Sequence, residues 1–126
     1  MNMSIIHKNC RIAYGTTRVV FLIGKYAFKI PSIMYEFRLF LLGLLANMQE
    51  VQFSKINQPE LCPVLFYIPF GFLVVMPRCE PLTREEFFEM DAENWLLRED
   101  YTIPAEPKLD SFGKYKGKIV AVDYGN

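Results

Sequence analysis

Turn-forming residues divide the N-terminal part of the sequence into three short β-rich runs, and this pattern limits the fold more than any other feature. The runs span residues 11–14, 18–23 and 26–30, and Gly15 and Gly24 begin the turns between them. Strands joined by tight turns pair antiparallel, because a parallel pair needs a long crossover connection. The sequence therefore predicts an antiparallel sheet that starts with three consecutive strands.

A long helix and a hairpin are predicted to follow. Residues 34–53 are rich in Leu, Phe, Met and Glu, which favour a helix, and Ser32 is predicted to cap its first turn. The uncharged run over residues 61–76 is interrupted at its centre by Pro69 and Gly71, which are typical of a turn between strands. These residues predict a buried hairpin rather than a membrane-spanning segment.

The C-terminal part contains signals for one short helix and one strand. Thr83, with Glu86 three residues later, has the pattern of a capping box, and it predicts a helix of about ten residues. Residues 118–122 predict a final apolar strand. The complete order of elements predicts an α+β fold in a single domain over residues 1–126.

Composition excludes several functional classes. Of the 126 residues, 52% are hydrophobic and 22% are charged, so the chain can bury a core. Fourteen Lys and Arg residues balance fourteen Asp and Glu residues, which leaves no overall charge for binding nucleic acid or an anionic membrane. We expect neither partner, and the basic run 114–118 is interpreted as a hairpin that protects a sheet edge. Because no export signal is visible, we expect a cytoplasmic protein.

Cysteine and histidine usage argues against a disulfide framework and against a metal cluster. Cys10, Cys62 and Cys79 are odd in number, widely spaced and without a Cys-x-x-Cys pair. His7 is the single histidine, so a His-rich metal site or a Ser-His triad is not expected either.

Two charged residues lie in unusually apolar surroundings. Lys29 follows Tyr-Ala-Phe in a predicted strand, where alternation puts it on the same face as Ala27. Glu50 lies on the long helix after Gly43 and Ala46, whose small side chains let a helix approach a sheet closely. The two residues are therefore candidates for an ion pair. The alternative is an edge-strand lysine and a helix-surface glutamate that both extend into solvent.

Two other segments are candidates for binding phosphate and metal. The turn Gly15-Thr16-Thr17 offers backbone N–H groups that could cover a phosphate, although a plain hairpin turn has the same composition. Asp123, in Asp123-Tyr124-Gly125, ends the last apolar strand, where a carboxylate suits a hard cation such as Mg²⁺. The alternative is a polar turn that closes the strand.

Together these motifs resemble the protein-kinase fold, and overall they are similar to small kinase-like proteins of bacteriophages. Residues 11–78 resemble the small lobe of a kinase, which is a five-stranded antiparallel sheet plus one long helix. Residues 79–126 resemble the hinge, short helices, a catalytic-loop-like segment and the Asp-Phe-Gly segment, with Tyr in place of Phe, as a minimal remnant of the large lobe. In a phage-encoded protein, the cytoplasm would be that of the host.

The resemblance implies ATP and Mg²⁺ as cofactors, and it gives each candidate a role. Lys29 would contact the phosphates, and Glu50 would pair with it. The implied nucleotide-binding residues are Gly15, Thr16, Thr17, Lys29, Glu50, Met76 and Arg78, and the implied metal ligands are Asp110, Ser111 and Asp123. Glu106 stands where kinases have the catalytic aspartate, and Lys108 follows it by two residues, so both would be catalytic in an active enzyme.

Departures from the kinase pattern weaken the case for catalysis. No His-Arg precedes Glu106, which replaces an aspartate, and Ser111 replaces the metal-binding asparagine. Most of the Gly-rich loop is missing, and no activation segment or helical large lobe follows Gly125. We therefore expect a pseudokinase that acts by binding a partner protein or a second copy of itself, with or without a nucleotide as ligand.

Two alternatives remain open at this stage. One is a minimal Mg²⁺-dependent, ATP-binding phosphotransferase that uses Lys29, Glu50, Glu106, Asp110 and Asp123. The other is an α+β interaction protein that binds no nucleotide and whose motifs are coincidental. Both kinase-like interpretations require the side chains at positions 29, 50 and 123 to converge on one cleft.

Overall fold

Five strands form one antiparallel sheet in a computed structural model that describes residues 10–33 and 36–125. The strands are β1 (Cys10–Tyr14), β2 (Arg18–Ile23), β3 (Tyr26–Pro31), β4 (Phe66–Ile68) and β5 (Leu73–Pro77). Their order across the sheet is β1-β2-β3-β5-β4. The prediction of an α+β fold with a five-stranded antiparallel sheet and one long helix is therefore confirmed. His7 lies outside the described residues.

The long helix, α1 (Phe37–Lys55), packs on this sheet through a face of small and polar residues. The predicted range 34–53 includes two residues, 34 and 35, that lie outside the described part. The predicted cap at Ser32 is wrong, because Glu36 occupies the N-cap position and makes no side-chain capping bond. Ser32 is instead buried, and its backbone N–H donates to Thr17 at 2.8 Å.

Two glycines let the backbone of α1 come close to its neighbours. A Cβ atom on Gly43 would lie 2.2 Å from the carbonyl oxygen of Thr17, and one on Gly71 would lie 2.1 Å from that of Leu44. Gly71 also has a φ of +82°, which a residue with a side chain rarely adopts. These contacts seat α1 against the sheet, and they fix the depth at which its side chains enter the site.

The predicted hairpin is present, but only one of its two strands is buried. β4 and β5 pair antiparallel around a single 3₁₀ turn, Pro69–Gly71. Val74 and Met76 of β5 are buried, whereas every residue of β4 is exposed. The difference arises because β4 is the edge strand of the sheet, while β5 lies between β4 and β3 and contacts α1.

A second, three-stranded sheet follows in the chain. Its strands are β6 (Glu80–Pro81), β7 (Phe112–Tyr115) and β8 (Lys118–Ala121), and helices α2 (Arg84–Met90) and α3 (Ala92–Trp95) lie in sequence between β6 and β7. The capping box is confirmed, since the side chains of Thr83 and Glu86 each accept a bond from the other's backbone N–H. The helix is shorter than predicted because Asp91 adopts a left-handed φ of 51°.

Buried side chains of the two sheets belong to one hydrophobic cluster. Val74 and Met76 of β5 join Phe112, Val120 and Tyr124 from the C-terminal part. The ring of Tyr124 is fully buried, and its hydroxyl donates to the backbone oxygen of Cys62. The segment after β8 is thereby tied into the core. Within the described residues, no helix combines the length and the hydropathy needed to cross a bilayer.

Candidate functional site

Lys29 and Glu50 form a buried ion pair. Alternation along β3 turns Lys29 towards α1 with only 5% of the residue exposed, and Glu50, on the buried face of α1, is 0% exposed. The Lys29 Nζ lies 3.0 Å from both carboxylate oxygens. The pair predicted from the sequence is present, and the alternative of two solvent-exposed side chains is wrong.

The Asp123-Tyr124-Gly125 segment packs directly against this pair. The backbone N–H of Tyr124 donates to Glu50 at 2.9 Å, and the Lys29 Nζ donates to the backbone oxygen of Val122. A Cβ atom on Gly125 would lie 2.2 Å from the carbonyl oxygen of Ala46, so only glycine fits against the helix here. These contacts hold the segment at the base of the site.

Arg18 joins the ion pair to Asp123, and the sequence analysis did not identify it. Its guanidinium donates to both oxygens of Glu50, at 2.7 and 3.2 Å, and to Asp123 at 2.5 Å. It also donates to Asn47 at 3.1 Å. A signal was available, because alternation puts Arg18 on the same face of β2 as Val20, the partner of Lys29 in the sheet.

Burial and paired charges act against each other on the pKa values of the buried members of this cluster. Burial disfavours the carboxylate of Glu50, but Lys29 and Arg18 outweigh this effect and hold the pKa of Glu50 below its usual value. Burial also disfavours the charged form of Arg18, but Glu50 and Asp123 together raise its pKa. The cluster contains two basic and two acidic side chains, so their formal charges balance.

Asn47 fixes the positions of the groups around it. Its amide nitrogen donates to the backbone oxygens of Lys29, at 3.0 Å, and Gly71, at 2.9 Å, while its amide oxygen accepts from Arg18. Asn47 is fully buried, so each of these bonds replaces one that water would otherwise supply. It links β3, the hairpin turn and Arg18 to α1.

A cleft of about 1190 Å³ opens beside this cluster. Ten of the site residues proposed from the sequence line it: Gly15, Thr16, Thr17, Lys29, Met76, Arg78, Glu106, Lys108, Asp110 and Asp123. Asp123 is the more accessible acid of the cluster, with 32% of its side chain exposed. Lys29 and Asp123 thus both line one cleft, and Glu50 contacts Lys29 from behind it, so the three side chains converge as both kinase-like interpretations require.

Two of the proposed site residues are not part of the lining. Glu50 lies behind Lys29, consistent with an indirect role through the ion pair. Ser111, which the resemblance implied as a metal ligand, is buried and is not among the residues that line the cleft. The cause is the backbone: the Ser111 carbonyl oxygen accepts from Val122 at 2.8 Å, which holds the residue in the interior.

The described residues give little support for a metal centre. Between residues 10 and 33 and between 36 and 125, no group of three or more His, Cys, Asp or Glu side chains is arranged to hold a metal ion. Asp110 and Asp123 both line the cleft, but Asp123 is already bonded to Arg18. Among the described residues, the cleft therefore offers the carboxylates of Asp110 and Asp123 to a metal, and Arg18 already engages the second of them.

Two thiols meet where β5 leads into β6. The Sγ atoms of Cys62 and Cys79 lie 3.3 Å apart, and Cys79 also lines the cleft. The hydrogen bond from Cys62 lowers the pKa of the Cys79 thiol. The sequence analysis, which considered these cysteines widely spaced, missed this contact because no local pattern links residues brought together by folding alone.

Comparison of the chain with protein-family models, with curated proteins and with solved structures finds no match. A functional interpretation therefore depends on the geometry of the cleft and of the charged cluster beside it.

Proposed function

We propose that this protein is a kinase-like pseudokinase, which holds a nucleotide in the cleft and acts by binding a partner protein rather than by transferring phosphate. The observation that carries the proposal is the Lys29–Glu50 ion pair, which contacts the Asp123-Tyr124-Gly125 segment beside the cleft. In protein kinases, a third-strand lysine, a helix glutamate and the aspartate of Asp-Phe-Gly meet in this way around the phosphates of ATP.

The chemistry of the cleft supports a ligand with one apolar part and one anionic part. Ala27 and Met76 are direct partners in β3 and β5, and both line the cleft as an apolar surface. Lys29 lies two residues further along β3 and supplies a cation. A nucleotide divides in the same way, into a flat base and charged phosphates, and the cleft is large enough to hold one.

Three features favour binding over catalysis. Asp123 is occupied by Arg18, and Ser111 does not reach the cleft. Glu106, where a kinase has its catalytic aspartate, has an additional methylene and lies 4.0 Å from the Lys108 ammonium at the exposed rim. Catalysis is sensitive to displacements of about 1 Å, so a longer side chain at this position disfavours phosphate transfer.

An exposed apolar surface supports the binding of a partner. We call it the α1–β4 face, and its members are Phe37, Leu41, Leu42, Leu45, Met48, Tyr67, Phe70 and Phe72. The hairpin turn joins its two parts, since Gly71 contacts Leu44 of α1, and Lys55 of α1 lies over the ring of Tyr67. Exposed apolar surfaces of this extent commonly mark interaction sites.

A second copy of this chain is the simplest partner for the α1–β4 face. Eight large, partly exposed side chains present on the order of 800 Å², which is about what each partner contributes to a standard interface. Two copies related by a twofold axis would cover each other's apolar faces without requiring charge complementarity.

Thermal melting with ATP tests the nucleotide part of the proposal. At a ligand concentration about 100 times Kd, stabilisation is about 2.7 kcal/mol, which raises the midpoint by about 10 °C for a chain of this size. We expect such a rise for the wild type and for Lys25→Met, which alters an exposed turn, and a smaller rise for Lys29→Met. No rise at millimolar ATP would contradict nucleotide binding.

Phosphate release in the same samples separates the pseudokinase from the phosphotransferase. We expect ATP to remain intact with Mg²⁺ present. Steady turnover that disappears in Asp123→Ala would instead establish the minimal enzyme, because that carboxylate is the acid nearest the ion pair in the cleft.

Sedimentation over a wide concentration range tests the partner. We expect a dimer for the wild type and a monomer for Leu45→Glu, which puts a charge at the centre of the α1–β4 face. Lys118→Glu, on the exposed start of β8 in the second sheet, is the matched control and should stay dimeric. A monomer at every concentration would refute self-association.

A further inference from the structure

Arg18 occupies one carboxylate oxygen of Asp123, the acid of this cluster that lines the cleft. Its guanidinium donates to Glu50, Asp123 and Asn47, with donor–acceptor distances between 2.5 and 3.2 Å. Only 6% of the residue is exposed, so water replaces none of these bonds easily. A guanidinium keeps its proton at any accessible pH, so this cation is a permanent part of the site.

The charges of the cluster already balance, which disfavours a further cation. Arg18 and Lys29 already balance Glu50 and Asp123, each through direct contacts. A divalent ion at Asp123 would add two positive charges next to a buried guanidinium and would compete with it for the same carboxylate. Mg²⁺ also requires near-octahedral oxygen ligands, which Ser111 cannot complete from the interior.

We propose that Arg18 replaces the divalent metal, so that the cleft binds a nucleotide without Mg²⁺. The inference depends on the nucleotide binding proposed above, and it assigns to Arg18 the neutralisation of Asp123 that a kinase obtains from a metal ion. The terminal N–H donors of Arg18 already bond to Glu50, Asp123 and Asn47, so Arg18 acts through its charge on Asp123 and leaves the phosphates to Lys29 and to cations at the cleft. Arg11, Arg78 and Lys108 line the same cleft and add positive charge around the ligand.

Nucleotide titrations in EDTA and in Mg²⁺ test this directly. We expect the Kd of the wild type for ATP to differ by less than about threefold between the two buffers. A site that needs the metal should bind ATP at least about tenfold more weakly in EDTA. Tenfold weaker binding in EDTA would overturn the inference about Arg18 but would leave the proposal of nucleotide binding standing. An absence of ATP binding in EDTA and in Mg²⁺ alike would overturn the inference and the proposal together.

Variants of Arg18 provide the second comparison. Arg18→Met frees Asp123, so ATP binding in EDTA should weaken at least tenfold and Mg²⁺ should restore part of it. Arg11→Met removes an exposed cation from the same cleft, and it should leave the ratio of the Kd for ATP in EDTA to the Kd in Mg²⁺ unchanged. An unchanged ratio in Arg18→Met would overturn the inference. If Arg18→Met does not fold, Arg18→Met with Asp123→Asn keeps one charge of each sign and leaves no unneutralised carboxylate at the cleft. Its Kd for ATP in EDTA should then stay within about threefold of the wild type, and a tenfold weakening would overturn the inference.

A metal titration tests the inference without any nucleotide. Free Mn²⁺ gives an electron paramagnetic resonance signal that is lost when the ion binds to a protein. We expect the wild type to leave this signal unchanged at millimolar Mn²⁺, and Arg18→Met to reduce it. Tight binding of Mn²⁺ by the wild type, abolished by Asp123→Asn, would show that Arg18 does not exclude the metal.

Discussion

The carboxylate of Glu50 should be the most costly single group to neutralise in this protein. It accepts bonds from Arg18, Lys29 and the backbone of Tyr124, all with donor–acceptor distances between 2.7 and 3.2 Å. Glu50→Gln keeps the shape of the side chain but leaves two buried cations with Asp123 as their only counter-charge. Breaking a buried ion pair in this way costs about 3–5 kcal/mol.

Urea unfolding followed by circular dichroism measures this cost. With an m-value of about 1.5 kcal/mol/M, a loss of 4 kcal/mol lowers the midpoint by about 2.7 M urea. Lys114→Met breaks a more exposed ion pair with Glu86, and it should lower the urea midpoint far less. In a double-mutant cycle, Glu50→Gln and Lys29→Met should also be strongly non-additive. A loss of about 1 kcal/mol or less for Glu50→Gln, the size expected of an exposed pair, would refute the description of the cluster as a buried network.

Three further predictions concern stability. Because the pKa of Glu50 is lowered on folding, its contribution to the free energy of unfolding is complete above the ordinary value of 4.5 and is lost as the pH falls below it. In urea unfolding at a series of decreasing pH values, the urea midpoint should therefore fall more steeply with pH for the wild type than for Glu50→Gln. Gly125→Ala drives a Cβ atom towards the backbone of Ala46 and should cost about 1–3 kcal/mol, whereas Gly15→Ala, whose nearest contact would be 3.3 Å, should cost less in the same unfolding assay. Thr83→Ala removes the capping bond to Glu86 and should cost about 1 kcal/mol, and an unchanged unfolding midpoint would contradict this role.

Local patterns in the sequence were sufficient for the strands and for the ion pair. The turns at Gly15 and Gly24 separate strands that pair in sequence, and alternation along β3 puts Lys29 on the buried face. The small residues Gly43 and Ala46 lie on the same face of α1 as Glu50. Each of these features is a relation between residues a few positions apart, which periodicity expresses directly.

Relations between distant segments could not be read from the sequence in the same way. The contact between Arg18 and Asp123 joins residues separated by 105 positions, and the two thiols at Cys62 and Cys79 meet only after β5 has turned into β6. Ser32 has the composition of a helix cap, but its backbone bond to Thr17 is part of the end of the sheet instead. In each case tertiary contacts outweigh local preference.

The glycine contacts of α1 limit how this site can be regulated. Gly43, Gly71 and Gly125 lie on three different segments, and each brings two backbones too close for a side chain to intervene. An outward swing of α1 that separated Glu50 from Lys29 would have to open all three junctions together. We therefore expect the pair to persist whether the cleft is empty or filled, so that control must act on access to the cleft or on the outer surface of the helix.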